Sequence, residues 1–211
     1  MGAIVDSRDM IGDALLRGTH IYLDALERKD MEELGKCWRS LDLTQYLSQD
    51  AIFPFTPEDE MEWFDHVRKD KSSYVFAVRL RSDGSAIGTA SLFEINWRIR
   101  KCVFGIAIGY PEQYGKGYGT EALRVILRYA FLELGLNRVQ LHVYEFNKRA
   151  MRSYEKVGFV KEGVLRDAVY REGRYWDEVV MAILRREWKN DLPTGSVDDA
   201  AGDRPEPTRI A

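Results

Sequence analysis

Between Tyr110 and Phe131 the chain reads YPEQYGKGYGTEALRVILRYAF, with three glycines at alternate positions followed at once by an amphipathic stretch. Leu123, Ile126, Leu127, Ala130, Phe131 and Leu134 fall on one helical face, while Arg124 and Arg128 point elsewhere, so a helix that packs one side on a sheet is predicted. A glycine-rich turn entering a helix leaves the first helical amides without partners. Those amides and the positive end of the helix dipole form a site for an anion, phosphate above all. Gly115, Gly117 and Gly119 allow close approach and positive φ, and Lys116 adds charge at the rim. The spacing is neither GxxxxGK[ST] nor GxGxxG, because Thr120 stands where a later glycine is needed, and this disfavours nucleoside triphosphates and NAD. The same turn with no ligand is the bland alternative.

Hydrophobic period orders the rest. THIYLDALE alternates as a strand, and DMEELGKCWRSL reads as a helix capped by Asp30. FPFTPEDEMEWFDHVRK starts a second helix with Thr56 as cap and Pro57 at the first helical position. Three strands follow, SYVFAVRL, AIGTASLFEIN and KCVFGIAIGY. Beyond the glycine helix come a strand, RVQLHVYEF, and a short helix from Asn147 to a glycine stop at Gly158. The last two strands meet at a hairpin tip, Glu172-Gly173. This order predicts an α/β (α+β) fold, a mostly antiparallel mixed sheet flanked by helices. The domain is expected over 16–189, with an N-terminal extension at 1–15 and a flexible, acidic, proline-containing tail at 190–211.

Charge and cysteine content narrow the function. The chain has 31 basic and 34 acidic residues, and setting aside the tail's five acids and two bases leaves 29 of each, so no global field recruits nucleic acid. No apolar run reaches the roughly 20 residues of a membrane span, and the acidic N-terminus is unlike a secretory signal, so a cytoplasmic protein is expected, with no membrane partner. Gly2 does not signal myristoylation, since Asp6 replaces the required Ser or Thr. Cys37, Cys102 and three histidines lack metal-ligand spacing, so no metal is expected and both thiols read as buried.

Two segments carry a resemblance. IAIGYPEQYGKGYGTEA resembles motif A of the GNAT superfamily of acyl-CoA-dependent N-acyltransferases, and NKRAMRSYEKVGFVKEG is similar to its motif B. The pattern departs at Tyr114, which occupies the Gln/Arg position of motif A. LRGTHIYLDALERKDMEEL and SLFEINWRIRKCVFGIAI are similar to the branch of ribosomal-protein N-terminal and polyamine acetyltransferases. The resemblance implies the GNAT fold and acetyl-CoA as co-substrate. It implies that Ile106, Ala107 and Ile108 pair with the pantetheine arm and that the amides from Tyr114 to Thr120, with Gly115, Lys116, Gly117, Tyr118 and Gly119 between, hold the pyrophosphate. Asn147, Arg149 and Ala150 complete the cofactor contacts.

Acetyl transfer to an amine also needs a proton acceptor, oxyanion stabilisation and a proton for the leaving thiolate. Tyr154 is either the general acid or part of the buried stripe formed with Ala150 and Val157. Glu94, the one acid in ASLFEIN, is either the general base or a solvent-facing strand residue. Tyr144, Asp167 and Tyr170 are lesser candidates for shaping the acceptor pocket, and Tyr46, Phe55, Glu62 and Trp63 lie in the region expected to build it. The reading is an N-acetyltransferase acting on a small amine, a polyamine or a protein N-terminus by direct attack in a ternary complex. A non-catalytic acyl-CoA sensor is the alternative. Oligomeric state, a homodimer included, is left open by the sequence.

Overall fold

The computed structural model describes residues 14–192. The extension read at 1–15 and the tail read at 190–211 lie almost wholly outside the described residues. Strand β1 (Ile21–Ala25) precedes helices α1 (Arg28–Trp38), α2 (Leu41–Thr44) and α3 (Pro57–Lys69). Strands β2 (Tyr74–Leu80), β3 (Ala86–Asn96) and β4 (Lys101–Ile108) follow, then α4 (Tyr118–Arg128), which runs into a π-helical turn, Tyr129–Glu133. The chain closes with β5 (Arg138–Tyr144), α5 (Lys148–Val157), β6 (Val160–Arg171) and β7 (Arg174–Leu184). Among the described residues no helix is long and apolar enough to cross a membrane.

The seven strands form one sheet in the order β1-β2-β3-β4-β5-β7-β6. Every neighbouring pair is antiparallel except β4 and β5, which are parallel. That exception positions the site. Only Lys101↔Arg138, Cys102↔Val139 and Val103↔Gln140 pair across it. Beyond them β4 stays with β3 as far as Ile108, and β5 stays with β7 as far as Tyr144. The two strands therefore part into a fork.

Side-chain alternation assigns the two faces. Leu92, Phe104 and Leu141 pack with Leu123, Ile126, Leu127 and Phe131 of α4 and its extension into the main core. A second cluster joins Met31, Leu34, Trp38, Leu43 and Phe64 from the three preceding helices, and Cys37 of α1 lies over Gly109. Burial of these side chains outweighs the modest helix propensity of such short segments.

Local signals placed most helix ends. Thr56 accepts from the Asp59 amide and Asp59 accepts from the Thr56 amide, a reciprocal cap that opens α3 at Pro57. Asn147 Oδ1 accepts from the Ala150 amide, and Gly158 ends α5 with φ of 102°. Two expectations are corrected. Asp30 is not the cap of α1: the helix begins at Arg28, and Asp30 sits in its first turn, accepting from the Glu27 amide and from the buried Arg79 guanidinium. Arg128 does not point away from the core. It is buried and donates to the carbonyls of Ala14, Leu15 and Arg17, so the segment before β1 has its backbone tied to α4 by a charged donor.

Candidate active site

One wall of the fork is the free edge of β4 from Phe104 to Ile108, where Ile106 and Ile108 reach under Gly119 of α4. A 3₁₀ turn, Pro111–Gln113, leads from β4 to the glycine loop. The Tyr114 amide donates to the Pro111 carbonyl at 3.0 Å. It is thus not a free donor, and the open set starts one residue later than the sequence suggested. From Gly115 to Thr120 no amide has a backbone acceptor among the described residues, and Glu121 is the first to find one, the Gly117 carbonyl at 2.9 Å. Six consecutive amides without a partner among the described residues, three in the loop and three in the first turn of an 11-residue helix, make a strong oxyanion cradle.

Gly115 and Gly117 have φ of 76° and 88°, so the loop needs glycine at both. Gly119 has ordinary φ, and a Cβ there would meet Ile108 at a comfortable 3.7 Å. Gly117→Val is therefore expected to destabilise the fold by about 1–3 kcal/mol, and Gly119→Ala by less than about 0.5 kcal/mol. Urea unfolding of the two variants checks the contrast; equal losses would contradict it.

Cations surround this cradle. Lys116 Nζ donates to Gln113 Oε1 at 3.2 Å. The Arg149 guanidinium, in the first turn of α5, lies 3.9 Å from the Tyr114 ring centroid. Tyr114 thus supplies a π face for Arg149 in place of the polar side chain usual in motif A. Burial raises the Tyr114 pKa, with Arg149 opposing. The amide of Ala150 is consumed by the Asn147 cap, and the Ala150 side chain packs against the core, so Asn147 shapes the helix start while Ala150 fills beneath it.

Tyr154 sits at the base of the fork. It is 9% exposed, edge-on to Phe104 with centroids 6.4 Å apart, and tilted against Phe159 at 6.0 Å. Phe104 is the first β4 residue beyond the paired stretch. Burial pushes the Tyr154 phenol up to about 12, and its hydroxyl has no hydrogen-bond partner among the described residues.

Glu94 stands elsewhere. It is exposed, with φ of 52°, where the β3 register breaks between Phe93↔Val103 and Asn96↔Lys101. That places it level with the stretch where β4 and β5 are still paired, below the point at which they part.

A different polar group faces the fork, and the sequence reading missed it. Continuing the register beyond Val103↔Gln140 sets Gly105 level with His142. His142 Nδ1 lies 3.2 Å from Oε2 of Glu178, a buried carboxylate on β7, and Gln49 Nε2 donates to the same oxygen at 3.1 Å. Gln140 Nε2 is 2.9 Å from His142 Nε2. Gly105 adds no side chain on this face, where Ser91 donates to its carbonyl at 3.3 Å. Alternation puts His142 on the face of β5 opposite Leu141, hence opposite the core that holds Phe104 and Tyr154. The available signal was RVQLHVY, which lines Gln140, His142 and Tyr144 along one face.

Tyr144 belongs to this group, its pKa pushed up to about 12 by burial and then by the Glu178 charge. Asp167 and Tyr170 do not. Asp167 is exposed at a break in the β6 register and donates its amide to Asp177, and Tyr170 is exposed against Tyr175 on the hairpin. Of the four candidates from the helical region Tyr46 comes near, packed on Phe146 at 5.6 Å. Phe55 and Glu62 are exposed, and Trp63 packs edge-on against Trp38. Both cysteines are buried, and burial lifts the Cys37 thiol and takes Cys102 to about 12, so neither is poised as a nucleophile.

A parallel pair that splits beside a glycine-rich anion cradle, with a buried phenol at the split, defines an acyl-CoA-dependent acyltransferase fold. Residues 20–160 match the acetyltransferase (GNAT) domain family, and the chain belongs to it. It is 38% identical over 179 residues to the probable N-acetyltransferase YjcK of Bacillus subtilis, covering 81% of this chain and 97% of that one. It is 32% identical over 174 residues to the spermidine N(1)-acetyltransferase of Vibrio cholerae, covering 82% and 97%. The crystal structure of the Vibrio cholerae spermidine N-acetyltransferase in complex with CoA and spermine superposes with a TM-score of 0.73 at 30% identity, over 80% of this chain and 97% of that chain.

Proposed function

We propose that this protein moves the acetyl group of acetyl-CoA to a primary amine by direct attack in a ternary complex. The observation that carries the reading is the fork itself. Its mouth holds the unpartnered amides of Gly115 to Thr120, and its base has Tyr154 on one face and His142 with Glu178 on the other. The residues fit the co-substrate. Two positive-φ glycines open the loop for a diphosphate, Lys116 and Arg149 add cations, and the free edge of β4 from Gly105 to Ile108 offers backbone groups to an extended amide arm.

CoA supplies the thioester. His142, with its Nδ1 proton donated to Glu178, keeps a lone pair on Nε2 now occupied by Gln140; an incoming amine takes that place and gives up its proton there. The amine nitrogen bonds to the thioester carbon, and amides on the open β4 edge stabilise the oxyanion. As the C–S bond breaks, Tyr154 donates its proton to the departing thiolate. Glu94, exposed and level with the paired strands, yields the base role to His142 in this reading. Acceptors worth ranking are a small amine, a polyamine, as the Vibrio cholerae relative's name suggests, and a protein N-terminus. The last is suggested by the putative ribosomal N-acetyltransferase YdaF of Bacillus subtilis, 32% identical over 177 residues and covering 82% of this chain and 95% of that one.

The test is to mix protein, acetyl-CoA and a panel of amines and to titrate free thiol. Amine-dependent release of CoA is expected. Tight acetyl-CoA binding with no release by any amine would favour a sensor module instead.

A further inference from the structure

Beside the β5 prong of the fork lies a cavity of about 230 Å³, lined by Gln45, Tyr46, Phe146, Arg171, Arg174 and Trp176, with Glu172 at its rim. Three rings make its walls: Phe146 packs on Tyr46 at 5.6 Å and edge-on to Trp176 at 5.2 Å. Tyr144 stands between this cavity and the fork: its ring stacks on Phe146 at 5.4 Å and its backbone pairs with Glu178. It is smaller than the roughly 300–1,000 Å³ of drug-sized pockets, so it suits one compact substituent.

The charge in this cavity is unusual. Arg171 is 8% exposed and donates to the carbonyls of Tyr170, Ser48 and Asp50, while its buried Nε has no partner among the described residues. The Arg174 guanidinium lies 3.4 Å from the Trp176 centroid. Among the described residues neither guanidinium has a carboxylate partner. Glu172, the one acid on the lining, is exposed at the hairpin turn. A buried cation satisfied only by neutral carbonyls favours an anion brought in by a ligand. Trp176 Nε1 donates to the Arg171 carbonyl at 3.3 Å, so ring and guanidinium are held together before any ligand arrives.

Resting on the acetyltransferase reading, we infer that this cavity selects an acceptor carrying its own anionic group: an amino-acid-like molecule whose amine enters the fork while a carboxylate or another oxyanion meets Arg171 and Arg174 and its side group lies against the rings. A polyamine brings a further ammonium to a lining that already has two guanidiniums against one carboxylate, which is unfavourable.

The experiment compares kcat/KM for phenylalanine, phenylalaninamide, 2-phenylethylamine and spermidine, with 2-aminoethyl phosphate as the arm that replaces carboxylate by phosphate. Phenylalanine is expected to exceed its amide by at least about tenfold, and Arg174→Gln is expected to bring that ratio close to one. A strong preference for 2-aminoethyl phosphate keeps the anion site and names phosphate as its ligand. Acid and amide turned over alike, an unchanged ratio in the variant, or spermidine as the preferred acceptor would overturn the inference while leaving the enzyme standing. No CoA release with any amine would remove both.

Discussion

Tyr154→Phe is expected to lower kcat by about 10²–10⁴-fold and to shift the dissociation constant of acetyl-CoA by less than about threefold. The lost oxygen is the one proposed to protonate the thiolate, whereas the ring that packs on Phe104 and Phe159 is kept. Its hydroxyl has no hydrogen bond among the described residues, so the variant leaves no protein partner stranded. Burial disfavours the phenolate, and the folded-state pKa of about 12 lies above the ordinary value near 10. The sign follows: the proton is held throughout the neutral and mildly alkaline range, and the stability tied to it is intact below pH about 10 and lost as pH rises toward 12. The wild-type rate is therefore expected to show no alkaline fall from this group below pH about 10. Single-turnover kinetics with a separate binding titration make the measurement, and full turnover in the phenylalanine variant would end the assignment.

The sequence carried the elements further than the site. Cap and stop residues such as Thr56, Asn147 and Gly158 act within a few residues of themselves, so their signals are local and were legible. Arg128 was not, because its three carbonyl partners come from the segment before β1, and helical spacing alone sends a charge to solvent. The cradle was legible as glycine chemistry, but the consumption of the Tyr114 amide by a 3₁₀ turn depends on backbone geometry that composition does not encode. Glu94 drew attention as a lone acid in an apolar strand. A register break there turns it outward, and such a break is set by the pairing partner. The pairing of His142 with Glu178, and the meeting of Arg171 with the loop at Ser48 and Asp50, join distant segments through strand order. Alternation in β5 showed which side chains share a face and not what they face.

His142→Ala is expected to reduce kcat by about 10²–10³-fold near neutral pH, with acetyl-CoA affinity unchanged within about twofold. Removing the imidazole leaves Glu178 with Gln49 as its remaining hydrogen-bond partner, so a loss of stability is also expected and activity alone is an insufficient reading. Two further measurements separate proton transfer from structure. Added imidazole is expected to restore part of the rate, because the deleted side chain vacates its own volume between Glu178 and Gln140. The defect is also expected to narrow as pH approaches the amine's own pKa near 10, where the acceptor is increasingly neutral in solution and no longer needs a base to deliver it. The groups around this position are Glu178 on β7, Gln140 and Tyr144 on β5, Gln49 beyond α2, and Arg171 and Asp50 acting on Tyr144. Tyr144, pushed to about 12, stays neutral across that range, so it does not supply the trend. A defect of constant size from neutral to alkaline pH, with no response to imidazole, would reduce His142 to a structural partner of Glu178 and reopen the search for the base along the rest of the fork.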